Sequence, residues 1–209
     1  MTTLATSAVL VVIAYRLVQG FVAAVRGQGR VLAVAVGRSL RLRHFWPVPI
    51  VFAAVIGVAV AAMTVPLLRW GWWSALGGVG NPILGSTTAT AGSWLDWAIP
   101  ATFMTLLAPA LPLFAHREEQ IFRQGVEHQG WPTRVRRAVT FGLVHAVVGI
   151  PIGVALALTV GGLYFTVVYL RTFARTGSQR EAVLESTRAH TAYNASIVAL
   201  VLVVVIAAQ

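Results

Sequence analysis

Cysteine and lysine are both missing from this 209-residue chain, and its acidic side chains number only six. The lack of cysteine excludes a disulfide framework, a cysteine-ligated iron–sulfur cluster and a thiol nucleophile. The lack of lysine makes every basic side chain an arginine, yet the formal net charge is still +10. Charged residues make up 11% of the chain against 57% hydrophobic, and the mean hydropathy is +0.78. A soluble domain of this length needs a more polar surface, so lipid is the expected solvent for much of the chain. On so apolar a chain an arginine excess marks loops facing the cytoplasm, and no nucleic-acid partner is expected. A G-x-S-x-G elbow is also absent, which argues against serine chemistry. No tandem repeat or low-complexity tract is apparent.

What remains is a series of apolar runs. Residues 4–25 form the first, about 33 Å long at 1.5 Å per residue, enough to cross the hydrocarbon. Neither a charged start nor a small-residue cleavage site marks it as a signal peptide. Arg16 sits in its middle, and the expectation is that it faces the bundle interior or snorkels. Further spans are predicted over residues 47–68 and 97–115, followed by a motif helix over 116–129. The run 138–170 is interrupted by Gly149, Pro151 and Gly153, which predicts two short helices, 138–149 and 153–170, joined by a turn. A last span covers 186–208. The predicted fold is all-α: a single transmembrane helix bundle, residues 1–209, with an intramembrane cavity facing the cytoplasm. The arginine- and glycine-containing stretch 26–43 reads as an amphipathic connector on the surface.

Arginine placement predicts the orientation. Clusters at Arg26–Arg43, Arg134–Arg137 and Arg171–Arg180 belong in the cytoplasm, whereas residues 71–93 carry no basic side chain and belong outside. The N-terminus is then outside as well. All seven tryptophans (Trp46, Trp70, Trp72, Trp73, Trp94, Trp97 and Trp131) fall at predicted span ends, where an aromatic belt sits.

Within this frame three polar groups interrupt the apolar runs. They are Glu118, Glu119, Phe122 and Arg123 in "EEQIFR"; Phe141 and His145 in "FGLVH"; and His190 and Asn194 in "HTAYN". Each group contains an i,i+4 pair, which on a helix shares one face. Each also lies within a few turns of an arginine-rich edge, so three helices offer polar faces at similar depth on one side. A charged residue at mid-membrane costs roughly 2.5–3.5 kcal/mol on insertion scales, so such residues tend to be paired and functional. Taken singly, Glu119 with Arg123 reads as well as a structural ion pair, and either histidine as a hydrogen-bonded packing residue. Together the three groups predict one shared site. His44, His116 and His128 lie near predicted surfaces and are expected to be solvated.

These three segments resemble the motifs of the CPBP family of intramembrane proteases (CAAX protease and bacteriocin-processing, also called ABI), related to the type II CAAX prenyl protease. The family pattern is EExxxR, then FxxxH, then HxxxN or HxxxD, in this order on successive membrane helices. The "RTGS" that precedes the third motif is similar to the stretch often found there. The resemblance runs from about Pro109 onward, roughly half the chain, and departs in one place: Gln124 intervenes between the motif arginine and Gly125. It implies an endopeptidase acting on a membrane-associated peptide or protein, including prenylated or CAAX-like substrates, with the active site open to the cytoplasm. Glu118 and His145 would activate a water, His190 and Asn194 would hold the oxyanion, and Glu119 with Arg123 would fix the helix and the local field. A carboxylate beside a second carboxylate is a reasonable base for this chemistry, and donors aimed at an oxyanion are worth about 3–4 kcal/mol each.

Alternatives stay open at this point. His145, His190 and Glu118 could instead hold a catalytic zinc. Against that, the chain has no H-E-x-x-H motif and Asn194 is an uncommon ligand, so a site without cofactor is favoured. A non-catalytic immunity or scaffold protein of the same fold is a second alternative. A small transporter or proton relay is a third, disfavoured because the halves of the chain show no repeat.

Overall fold

A computed structural model describes residues 2–76 and 92–207, and among these the structure is helical with no strand. The first helix, α1 (Thr2–Val25), is the first predicted span and packs against α6. The chain reverses at Gly27 into α2 (Gly27–Arg38), an amphipathic helix that buries Ala33 and Val36. A single turn, α3 (Leu42–Phe45), leads through Pro47 into α4 (Val48–Met63), which crosses apolar throughout. A tight turn over Pro66–Arg69 and a second single-turn helix, α5 (Trp72–Ala75), follow. Most of the 71–93 segment assigned to the outside lies beyond the described residues.

Next comes α6 (Leu95–Phe122), which carries the first motif at its end. The predicted span 97–115 and the first part of the motif helix predicted over 116–129 form one helix of 28 residues, about 42 Å, and the motif helix stops at Phe122 and not at residue 129. Glu119 on its last turn pairs at i,i+4 with Arg123, the residue that closes the helix. Pro100, Pro109 and Pro112 are accommodated inside α6, as happens where neighbouring helices re-satisfy freed backbone groups. The chain then turns at Gly125 and enters α7 (Trp131–Val144), whose first turns hold the basic "WPTRVRR" segment. Gly149, at φ +86°, ends the short turn after α7, and α8 (Ile152–Ala157) and α9 (Thr159–Thr176) return along the bundle. The turn is pinned from outside: Ile152 N–H donates to the Trp70 carbonyl at 2.9 Å, and Trp72 Nε1–H to the Ala146 carbonyl at 3.0 Å. The last helix, α10 (Gln179–Ala207), begins two turns before the predicted 186–208 span.

Among the described residues four segments are long and apolar enough to cross a membrane: Ala8–Val25, Leu42–Met63, Trp97–His128 and Ile152–Thr176. The predicted last span, 186–208, runs into residues whose side chains lie outside the described ones; ahead of them α10 carries His190, Thr191, Tyr193 and Asn194 and turns apolar from about Ile197. The main core lies where α4, α7, α9 and α10 meet, around Val51, Val55, Phe141, Phe165, Ala189 and Tyr193. The outside of the bundle is apolar too: Val11, Val12, Ile50, Val60 and Val203 are all more exposed than buried. Such a surface suits lipid and not water.

Several expectations need correction here. Arg16 lies exposed on α1 and not in the bundle interior, which leaves the snorkelling alternative, and its guanidinium is directed at Gln19 of the same helix at 3.5 Å. His44 is buried and not solvated, because it caps the start of α3 through Arg41 N–H and meets Glu185 of α10 at 3.2 Å. His116 is half-buried against Thr187, while His128 is exposed as expected. Trp46, Trp70, Trp94, Trp97 and Trp131 are exposed, but Trp73 is buried and Trp72 spends its N–H on the α7 turn, so these two pack the interior instead of joining a belt.

Candidate active site

Glu119 lies on the last turns of α6 with no solvent exposure, and three groups meet its carboxylate. The Ser186 hydroxyl of α10 donates to Oε2, and His190 Nδ1, one turn further along α10, lies 2.9 Å from Oε1. Arg123 brings Nη1 to 3.5 Å from Oε1, an ion pair longer than a hydrogen bond. A buried carboxylate needs such company, since an unpaired one would be neutralised or displaced.

Arg123 is equally buried, and one of its N–H groups, on Nη2, donates to the Gly162 carbonyl at 3.2 Å. Nε and Nη1 have no hydrogen-bond acceptor, and aromatic faces take their place. The guanidinium carbon lies 4.2 Å from the Phe141 ring centre, 5.5 Å from Phe165 and 5.7 Å from Phe122. Contacts of this kind are worth about 2 kcal/mol when desolvated. Gly162 makes the close approach of α9 to α7 possible, because a Cβ there would sit 3.0 Å from the Phe141 ring and 3.2 Å from the Ala138 carbonyl.

Phe141 is the common neighbour of the three motif segments. Its ring centre lies 4.9 Å from His145, 5.5 Å from His190 and 6.2 Å from Phe165, all edge-on. The His190 ring is stacked on Phe165 at 4.2 Å, so aromatic contacts and the Glu119 bond together fix its plane. That orientation turns Nε2 toward Glu118, 3.6 Å from Oε2. The Glu118 side chain is about one-third exposed, yet Oε2 itself is buried with no hydrogen-bond partner. His145 closes α7, with Nδ1 2.7 Å from the Phe141 carbonyl. A carbonyl only accepts, so Nδ1 carries the proton, and in the neutral ring Nε2 is left as a free acceptor.

Glu118, Glu119, Arg123 and His190 are thus in direct contact. His145 joins them through Phe141 and the half-exposed side of the site. Asn194 shares the His190 face of α10, half-buried, but no hydrogen bond or ion pair links it to the others or to any described residue. Among the described residues no group of three or more His, Cys, Asp or Glu side chains is placed to hold a metal ion. Sequence reasoning missed Ser186, although its spacing was readable: Ser186, His190 and Asn194 repeat at i, i+4 and i+8 on one face of α10. It also missed Phe165 and Gly162, which reach the site from another span. A groove of about 780 Å³ between α2, α6 and α10 lies on the adjoining face of α6, and none of the six predicted residues lines it. Comparison with known proteins finds no matching family model, no matching curated protein and no matching solved structure.

Proposed function

We propose that the protein is an intramembrane endopeptidase that hydrolyses a peptide bond of a membrane-associated substrate with water activated by Glu118 and His145. The observation that carries this reading is the pairing at 3.6 Å of a partner-free Glu118 oxygen with the Nε2 of a histidine whose other nitrogen is tied to Glu119. Three motif segments in the family order, meeting around one phenylalanine, support it.

In the proposed reaction a water placed between Glu118 and His145 loses its proton to Glu118 as its oxygen attacks the substrate carbonyl carbon. His145 Nε2, free of internal bonds, accepts from the same water and orients it. The carbonyl oxygen becomes an oxyanion. In the form that carries both ring protons, His190 donates Nδ1–H to Glu119 and Nε2–H to this oxyanion, and the Asn194 amide supplies a second donor. The C–N bond then breaks, the amine leaves with the proton held by Glu118, and the other product is a carboxylic acid. Glu119, Arg123 and Ser186 do not touch substrate; they hold the His190 ring and its charge in place. No step uses a metal.

The test is hydrolysis of membrane-anchored peptides by the purified protein reconstituted in vesicles. Wild-type protein should release cleaved peptide, and Glu118→Gln should release none while melting at the same temperature. Undiminished hydrolysis by a folded Glu118→Gln variant would falsify the assignment. Stoichiometric zinc, with activity lost on its removal and restored by adding it back, would replace glutamate by metal at the same residues.

A further inference from the structure

The groove between α2, α6 and α10 is chemically distinct from the candidate active site. The wall between them is the α6–α10 seam, closed on the groove side by His116 and Thr187, 3.2 Å apart, with the Ser186–Glu119 bond behind it. The groove is about 780 Å³ in volume, within the range that holds a small molecule, and no acidic residue lines it. Two arginines do. Arg180 makes no hydrogen bond or ion pair with any described residue. Arg188 is oriented by Ser39 through Nε and by Glu185 through Nη1, both at 2.8 Å, which leaves Nη2 uncommitted. Gln28, Gln120 and Gln124 add side-chain amides that bond to nothing in the described structure. The lining therefore offers a surplus of donors, and the carboxylate next to it, Glu185, is shared among Arg188, Arg43 and His44.

The far wall points to the source of a matching anion. Helix α2 carries Arg30 and Arg38, is preceded by Arg26, and has no acidic residue. The segment it belongs to also presents Val31, Leu42 and Trp46 outward, 70%, 86% and 67% exposed. Arginines beside exposed apolar and aromatic side chains are the pattern of a helix lying in the headgroup layer of a membrane. Basic pockets at that depth take lipid headgroups. The apolar part of the lining, Leu32, Val183 and Leu184, suits the first methylenes of an acyl chain.

We propose that this groove binds the phosphate headgroup of an anionic phospholipid, with Arg180 and Arg188 on the phosphate and the glutamines on the remainder of the headgroup. The proposal does not depend on the peptidase reading. Full-length protein in zwitterionic detergent, titrated with dioleoyl phosphatidylglycerol and followed by native mass spectrometry, tests it. Wild-type protein should bind this lipid in preference to phosphatidylcholine. Arg180→Gln should weaken binding about fivefold, the loss expected for one arginine at an anionic surface, and Arg180→Lys should keep most of it. Arg175→Gln, an exposed arginine on α9 outside the groove, should bind as wild type does. Equal weakening by Arg180→Gln and Arg175→Gln would reduce the effect to general charge and overturn the proposal. Binding of phosphatidylcholine as tight as that of phosphatidylglycerol, or of inorganic phosphate as tight as the lipid, would also overturn it.

Discussion

Glu119 Oε1 and His190 Nδ1 lie 2.9 Å apart although 71 residues separate them in the chain, and both side chains are shut off from solvent. That one contact ties α6 to α10 and sets the plane of the His190 ring. It also decides which histidine nitrogen is left for chemistry, because the bond to Glu119 occupies Nδ1 and leaves Nε2 facing Glu118.

Removing the arginine beneath this pair should be costly. Arg123→Ala leaves the Glu119 carboxylate buried without its charge partner, at about 3–5 kcal/mol. For a chain of this length that corresponds to a melting point roughly 10 °C lower. Thermal unfolding in detergent measures it. A melting point within a degree or two of wild type would mean that the ion pair does not hold the bundle together.

Asn194 should separate activity from stability. Its amide has no partner among the described residues, so Asn194→Ala and Asn194→Asp should both melt as wild type does. Asn194→Asp sets an anion where negative charge develops and should slow hydrolysis by about a hundredfold or more. Normal turnover by the aspartate variant would remove Asn194 from the oxyanion site.

Gly162 gives a purely steric prediction. A Cβ at 3.0 Å from the Phe141 ring must push α7 away from α9, at about 1–3 kcal/mol. Phe141 also supports His145 and His190, so Gly162→Ala should lower activity and melting point together. Alanine scanning across α9, with both quantities read, would show whether position 162 stands out from its neighbours Leu163 and Val167.

Glu185 lies just ahead of the last span predicted from the sequence, 186–208, and its titration gives a pH prediction. Burial disfavours its charge, but hydrogen bonds from Arg188 and His44 and the nearby Arg43 outweigh that and hold its pKa below the ordinary carboxylate value. A lowered folded-state pKa stabilises the fold above the unfolded value of about 4.3, and that stability is lost as pH falls through the folded value. Melting points followed from pH 7 downward should therefore drop in wild type below about pH 5. Glu185→Gln should start lower at neutral pH and show a shallower decline. Parallel curves would rule out the linkage.

Much of the helical layout was legible because apolar runs and proline–glycine breaks are local signals. Gly149 and Pro151 ended the predicted helix where the turn lies. The span 97–115 and the motif helix after it join into one helix because polarity ends an apolar run without ending a helix. Of the site, the i,i+4 spacings revealed which residues share a face, and these became the Glu119, Arg123 and His190 contacts. Phe165 and Gly162 were not legible: they contribute a ring face and a carbonyl by packing from α9, and neither leaves a periodic trace. His44 with Glu185 was hidden for the same reason, since only the folded chain brings α3 beside α10.

The pairing of Glu119 and Arg123 inside one helix also bears on how the protein is made. Trp97–His128 is a candidate membrane span that includes both charges, and during synthesis it emerges before Gly162, Ser186 and His190 exist. Being one turn apart, the two charges carry their counterion with them and α6 inserts that part of its length with no net charge. The later helices then replace lipid around an ion pair that is already formed, and no free charge has to cross the membrane in search of its partner.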